Sequence, residues 1–72
     1  MVRVKAVIAS NPTTKKADVS LFADTKAEMS TVTVDNIGDF PPGYSLEFGS
    51  SVMTASGELA FLKSDGKWNW TT

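Results

Sequence analysis

The stretch that most constrains the fold runs from Gly49 to Trp70 and reads GSSVMTASGELAFLKSDGKWNW. It contains three short runs of strand-forming residues, separated by Ser56-Gly57 and by Ser64-Asp65-Gly66. Glycine reaches the positive φ that tight hairpin turns need, and Asp-Gly and Ser-Gly pairs recur in such turns. The pattern therefore predicts a three-stranded antiparallel meander. Its strands are expected at 51–55, 58–63 and 67–70.

Apolar residues that alternate with polar ones indicate further strands before the meander. These strands are predicted at 2–9, 18–23, 30–35 and 44–48. In the first of them, Val2, Val4, Ala6 and Ile8 share one face, which predicts a strand buried on one side only. Between 41 and 44, Pro42-Gly43 is suited to the centre of a type II turn.

One short helix is a further expectation, near residues 25–29. Thr25-Lys26-Ala27-Glu28 has the Ser/Thr-x-x-Glu spacing of a capping box, and Met29 would be the inward-facing residue. A helix of one or two turns is marginal without packing. The alternative is a plain polar connection.

The length and the regular turn signals predict one small, mainly β domain that spans residues 1–72. An antiparallel sheet, a barrel and a sandwich all fit the pattern. A chain of this size buries only about 60% of the surface that it exposes when unfolded. Such domains often use a disulfide, a metal or a partner subunit for stability. The chain has no Cys and no His, so we expect a homo-oligomer.

The charge pattern argues against nucleic acid as the main partner. Seven basic residues stand against eight acidic ones, and the basic residues are scattered along the chain, whereas nucleic-acid binding proteins concentrate them on one face. Single-stranded nucleic-acid binding by a small barrel is a weaker alternative that would need basic side chains beside exposed aromatic rings. No apolar run is long enough to span a bilayer, and the first residues do not resemble a signal peptide. We therefore expect the protein in the cytoplasm of the cell that makes it.

The inventory of reactive side chains predicts no enzyme. A catalytic nucleophile needs an activating base, most often His, and the chain has none. Lys63 and Ser64 are neighbours on a predicted strand, where adjacent side chains point to opposite faces, which argues against a Ser–Lys dyad. Asp35 and Asp39 are typical of turns and lack the spacing of a Ca²⁺-binding loop. No catalytic, cofactor-binding or metal-binding residue is predicted.

The aromatic residues near the end of the chain are the candidate functional residues. Trp68 and Trp70 are two positions apart and share one face of a strand. Together with Phe48 and Phe61, they are predicted to lie in the core or at an interface, because large aromatic side chains contribute much of the burial in a small domain. The alternative is a small carbohydrate-binding module in which Trp68, Trp70 and Tyr44 expose their ring faces.

The segment YSLEFGSSVMTASGELAFLKSDGKWNW resembles the C-terminal part of small structural proteins encoded by phages and prophages of Gram-positive bacteria. Some of these are described as head-fibre or minor virion proteins. The shared features are the two Gly-containing turns, the apolar strand between them and the terminal Trp, and the similarity extends over residues 19–70. The resemblance implies a non-enzymatic, homo-oligomeric protein that contacts other phage structural proteins in the bacterial host or in the virion. It transfers no functional residue.

Overall fold

The computed structural model describes residues 1–71, which form six strands and two short 3₁₀ turns. The strands are β1 (Arg3–Asn11), β2 (Lys16–Ala23), β3 (Ser45–Leu46), β4 (Ser51–Thr54), β5 (Leu59–Leu62) and β6 (Trp68–Trp70). The 3₁₀ turns are Lys26–Ser30 and Val34–Asn36. The mainly β class is confirmed, and so is the C-terminal meander, which is formed by β4, β5 and β6. Within residues 1–71, no helix has the length and apolar character that crossing a membrane requires.

The strands form one mixed sheet in the order β1-β2-β4-β5-β6. β1 and β2 form an antiparallel hairpin, and the meander adds two more antiparallel pairs. β2 and β4 are parallel, with Ser20 beside Ser51 and Ala23 beside Thr54. β3 pairs in parallel with the first two residues of β2. The sequence patterns predicted the two antiparallel pairs of the meander but not this parallel pair, which joins strands far apart in the chain.

The core lies between one face of the sheet and the segment that connects β2 to β4, residues 24–50, called here the crossover. Every second side chain of β2 is fully buried. These four residues are Ala17, Val19, Leu21 and Ala23. The crossover contributes Met29 and Ile37, each 5% exposed, and packs further apolar side chains against the same cluster. One face of the sheet is thereby covered.

The opposite face of the sheet is called here the open face. Residues that pair directly across strands share a face, which assigns the members of this face from the register. They are Ser20, Phe22, Ser51, Met53, Leu59, Phe61 and Asn69. None of them belongs to the buried core cluster.

Two predicted turns are present. The 3₁₀ turn Lys26–Ser30 lies where the short helix was expected, and the Glu28 carboxylate accepts hydrogen bonds from the N–H groups of Thr25 at 3.0 Å and Asp24 at 2.8 Å. In the second turn, Gly43 has a φ of 81° and Tyr44 donates its N–H to the carbonyl of Pro41 at 3.3 Å. This is the geometry expected for Pro-Gly at the centre of a type II turn.

The strand predicted at residues 30–35 is wrong. The chain instead forms the 3₁₀ turn Val34–Asn36, and the Asn36 side chain accepts a hydrogen bond from the N–H of Thr33 at 2.9 Å. Such local side-chain bonds give the backbone an alternative to a strand ladder. Asp39 nearby has a φ of 63°, which agrees with its predicted place in a turn.

The prediction that β1 is half-buried throughout is also wrong. Register shifts occur between Val4 and Ala6 and between Val7 and Ala9, and each shift resets the alternation of side chains between the two faces. As a result, Ile8 is 65% exposed rather than buried. Bulges of this kind are typical of edge strands, where they discourage unintended pairing with other chains.

Ser50 connects the two strands that share one edge of β2. Its side chain is fully buried, and its hydroxyl accepts a hydrogen bond from the N–H of Val19 at 3.2 Å and donates one to the carbonyl of Glu47 at 2.7 Å. The hydroxyl therefore provides a hydrogen-bond acceptor for the buried amide of Val19 between the end of β3 and the start of β4.

We expect Ser50→Ala to destabilise the fold by roughly 1–3 kcal/mol, because it leaves the buried Val19 amide without a partner. Urea unfolding followed by circular dichroism measures the loss, and the Val19 amide should also exchange faster with deuterium. Ser51→Ala, one residue along on the open face, is the matched control, and we expect it to stay within about 0.5 kcal/mol of the parent. Equal stability of the two variants would contradict this role for Ser50.

The amino group of Met1 forms ion pairs with the carboxylates of Asp24 and of Glu28, the latter at 2.8 Å. The hydrogen bonds that the ammonium donates to Asp24 and to Glu28 raise the pKa of the amino group above its ordinary 8.0. Their hydrogen bonds to the ammonium lower the pKa of Asp24 below 3.8 and that of Glu28 below 4.5. These ion pairs hold the Met1 amino group beside the first 3₁₀ turn.

When the amino group at Met1 is free, we expect these ion pairs to stabilise the fold between the ordinary pKa values of the carboxyls and of the amine. The stabilisation is lost as acid protonates Asp24 and Glu28, and it is lost again as the pH rises above 8.0 and the amine loses its proton. Thermal unfolding measured across pH detects both losses of stability, at low pH and at high pH. Acetylation of the Met1 amine should flatten both, and an identical pH profile after acetylation would contradict the prediction.

Candidate functional site

The open face carries a group of apolar side chains in its middle. Phe22 on β2 pairs with Met53 on β4, and Met53 pairs with Leu59 on β5. Phe61 is two residues further along β5, on the same face. Met53 is 42% exposed and Phe61 is 43% exposed, while Phe22 and Leu59 are half-buried. These four residues are called here the open-face patch.

Polar side chains surround the open-face patch. Ser51 lies opposite Phe61 on one side and Asn69 lies opposite it on the other. At the β1 side, the Arg3 guanidinium is 4.8 Å from the centroid of the Phe22 ring, a cation–π distance. An apolar centre within a polar rim is typical of protein–protein contact surfaces.

A second feature is a groove of about 640 Å³ between the first 3₁₀ turn and β6. We call it the indole groove. Its lining residues are Lys26, Ala27, Met29, Ser30, Gly66, Lys67, Trp68 and Trp70. Both indoles are half-buried and pack against the core cluster. The groove therefore lies on the covered side of the sheet, away from the open-face patch.

The indole groove is positively charged. The Lys26 ammonium is 4.9 Å from the centroid of the Trp70 ring, and Lys67 also lines the groove. No Asp or Glu lines it. Among the described residues, Lys63 pairs with Asp65 at 3.6 Å, whereas the ammoniums of Lys26 and Lys67 have no carboxylate within ion-pair distance. The groove thus combines an aromatic floor with two cations free to meet an anion.

The structure separates the four aromatic residues that the sequence singled out. Trp68 and Trp70 pack against the core from β6, while Phe61 lies in the open-face patch. Phe48 is 61% exposed in the loop between β3 and β4. The four side chains therefore do not form a single cluster.

The three aromatic rings of the carbohydrate-binding alternative are not assembled in one groove. Tyr44 is absent from the lining of the indole groove, and the Lys15 ammonium lies 5.4 Å from its ring centroid. One face of the Trp70 indole is already in contact with the Lys26 ammonium. The arrangement favours a charged ligand over a neutral sugar ring.

Sequence reasoning assigned no function to Phe22. It also passed over Met53. The available signal was that each is a large apolar side chain within a predicted strand. Their proximity could not be foreseen, because only the parallel pairing of β2 with β4 brings them together.

Comparisons of the chain with protein-family models, with curated proteins and with solved structures find no match.

We expect the aromatic residues to differ in their contribution to stability. Trp68→Ala and Trp70→Ala each remove a ring that packs on the core and should cost about 2–4 kcal/mol, since each ring is only half-buried. Phe48→Ala and Phe61→Ala should cost less than about 1 kcal/mol. Urea unfolding of dilute protein compares the four variants. A larger loss for Phe48→Ala than for Trp70→Ala would contradict this division.

Proposed function

We propose that this chain is a non-enzymatic structural or accessory protein of phage origin, which acts through protein–protein contacts. The contact is self-association, or attachment to a virion component, through the open face. The observation that carries the proposal is the open-face patch, in which Phe22, Met53, Leu59 and Phe61 meet on the sheet face opposite the buried core.

The exposed apolar area on this face supports association because its burial is favourable by about 25 cal/mol per Å². Partners that pack two sheets face to face do so about 10 Å apart, with side chains of both inner faces interdigitating. A standard interface takes about 800 Å² from each partner, which is roughly a fifth of the 4359 Å² that this chain exposes. A small domain without disulfides gains stability from such burial.

Charge also favours contact between two copies. Formal charges nearly cancel over the whole chain, at −1, so two copies repel one another little. The central residues of the open-face patch are uncharged, and Arg3 at its border is close to the Phe22 ring. Two open faces can therefore meet without burying an unpaired charge at their centre.

The resemblance to phage and prophage structural proteins, seen in residues 19–70, supports placing this contact in a virion or its assembly. On that reading, the protein is made in the cytoplasm of a bacterial host and works on or beside a phage particle. The other phage structural proteins are then its partners.

The oligomeric state of the purified protein tests self-association through the open face. We expect sedimentation equilibrium at micromolar concentration to show association of the parent protein. The double variant Met53→Ser with Phe61→Ser should be monomeric under the same conditions, because both exposed apolar side chains of the patch are lost.

Ile8→Ser is the matched control for that experiment. Ile8 is a more exposed apolar residue, at 65%, on the bulged edge strand β1, and we expect its replacement to leave the association unchanged. A parent protein that stays monomeric, or an Ile8→Ser variant that dissociates as fully as the double variant, would show that the open face is not a contact between copies of this chain.

A further inference from the structure

The outer edge of β6 presents backbone groups without a strand partner. Lys63 donates its N–H to the Lys67 carbonyl at 2.9 Å, and Thr71 donates its N–H to the Leu59 carbonyl at 2.8 Å. Hydrogen-bonded and non-hydrogen-bonded pairs alternate in an antiparallel ladder. Trp68 and Trp70 occupy the non-hydrogen-bonded positions, so their N–H and C=O groups point away from β5. On that side, the described part of the chain places no further strand.

The two residues with outward-pointing backbone groups also form the floor of the indole groove. A strand that added to this edge would pair with Trp68 and Trp70 through its backbone. Its alternate side chains would lie on the same face as the indoles and enter the groove. Backbone pairing and side-chain contact would thus occur together.

The charges beside this edge select the chemistry of the added strand. Lys26 and Lys67 line the groove without a carboxylate partner among residues 1–71. We propose that the β6 edge and the indole groove bind an extended, acidic peptide segment of a partner protein by strand addition. Apolar side chains of the peptide contact Trp68 and Trp70, and its carboxylates meet the two ammoniums.

A second copy of this chain fits the β6 edge poorly. Pairing β6 with β6 of another copy would bring together two grooves that are each lined by two lysines, and the strand sequence Trp-Asn-Trp offers no carboxylate. Like charges placed opposite each other destabilise a strand pair. The edge therefore favours a partner of different sequence.

Nucleic acid also fits less well than an acidic peptide. Proteins that bind single strands track the backbone with a positively charged groove several nucleotides long. Two ammoniums supply little of that charge, and the chain as a whole carries −1. The unpaired backbone edge, moreover, matches a peptide and not a polynucleotide.

This proposal goes beyond self-association and does not depend on it. The indoles face the covered side of the sheet, whereas the open-face patch lies on the opposite side. The double variant Met53→Ser with Phe61→Ser should therefore retain peptide binding while it loses self-association.

The probe is a synthetic heptapeptide, Asp-Glu-Val-Thr-Val-Glu-Asp, acetylated and amidated at its ends. Its two valines share a strand face and can lie over the two indoles. Because the chain has only two Trp residues, both in the groove, intrinsic fluorescence reports binding directly. We expect saturable binding, with amide chemical-shift changes concentrated at residues 26–30 and 66–70. Absence of binding, or shifts centred elsewhere, would overturn the proposal.

Charge variants test the role of the two lysines. Lys26→Glu and Lys67→Glu should each weaken binding roughly fivefold, as expected for exposed charge pairs. Lys5→Glu on β1 makes the same charge change at the far edge of the sheet and should leave the affinity unchanged. Equal effects of all three variants would show that only net charge matters and would overturn a specific site. Tighter binding of a single-stranded oligonucleotide than of the peptide would do the same.

Backbone methylation of the peptide tests strand addition itself. In an added strand, alternate peptide N–H groups face β6 and the others face solvent. N-methylation of the two valines and N-methylation of the central threonine should therefore differ, with one change abolishing binding and the other tolerated. Equal tolerance of both would contradict strand addition.

Discussion

The parallel pairing of β2 with β4 is the constraint on which the rest of this structure depends. Parallel neighbours cannot be joined by a tight turn, so the chain must travel back across the sheet before β4 begins. The crossover, residues 24–50, passes over only one face of the sheet. The crossover covers the face on which Val19 and Leu21 are fully buried. The crossover does not pass over the opposite face of the sheet, which is the open face.

The same crossover explains the indole groove. Its first 3₁₀ turn lies beside β6, so Lys26 and Met29 come to border the two indoles. The crossover does not supply a strand for the outer edge of β6, so among residues 1–71 no strand pairs with the outward-pointing backbone groups of Trp68 and Trp70. The path of the crossover therefore covers the core but does not cover the open face or the outer edge of β6.

The parts of the fold that sequence reasoning predicted are those specified by local chemistry. The meander is specified by Gly57 and Gly66, which have φ values of 86° and 83° in the turns that were expected. The first 3₁₀ turn is specified by Glu28, whose carboxylate bonds to the backbone of Thr25. Each of these features depends on residues within a few positions of one another.

The parts that sequence reasoning missed depend on contacts between distant residues. Ser20 and Ser51 are neighbours only through the parallel pair, and no local pattern announces such a pairing. The alternation in β1 predicted the wrong set of buried residues, because the register shifts in β1 depend on its pairing with β2. The candidate surfaces were hidden for the same reason: Phe22 meets Met53, and Lys26 meets Trp70, only after the crossover is in place.

If the open face is a contact surface between copies, the methionine methyl groups will report its burial. Met53 lies in the open-face patch, whereas Met29 is 5% exposed in the core. In protein with ¹³C-labelled methionine methyls, a soluble paramagnetic probe measures the accessibility of each methyl group. We expect Met53 to become protected from the probe as protein concentration rises, while Met29 is protected throughout. A Met53 methyl that stays equally accessible at all concentrations would contradict it.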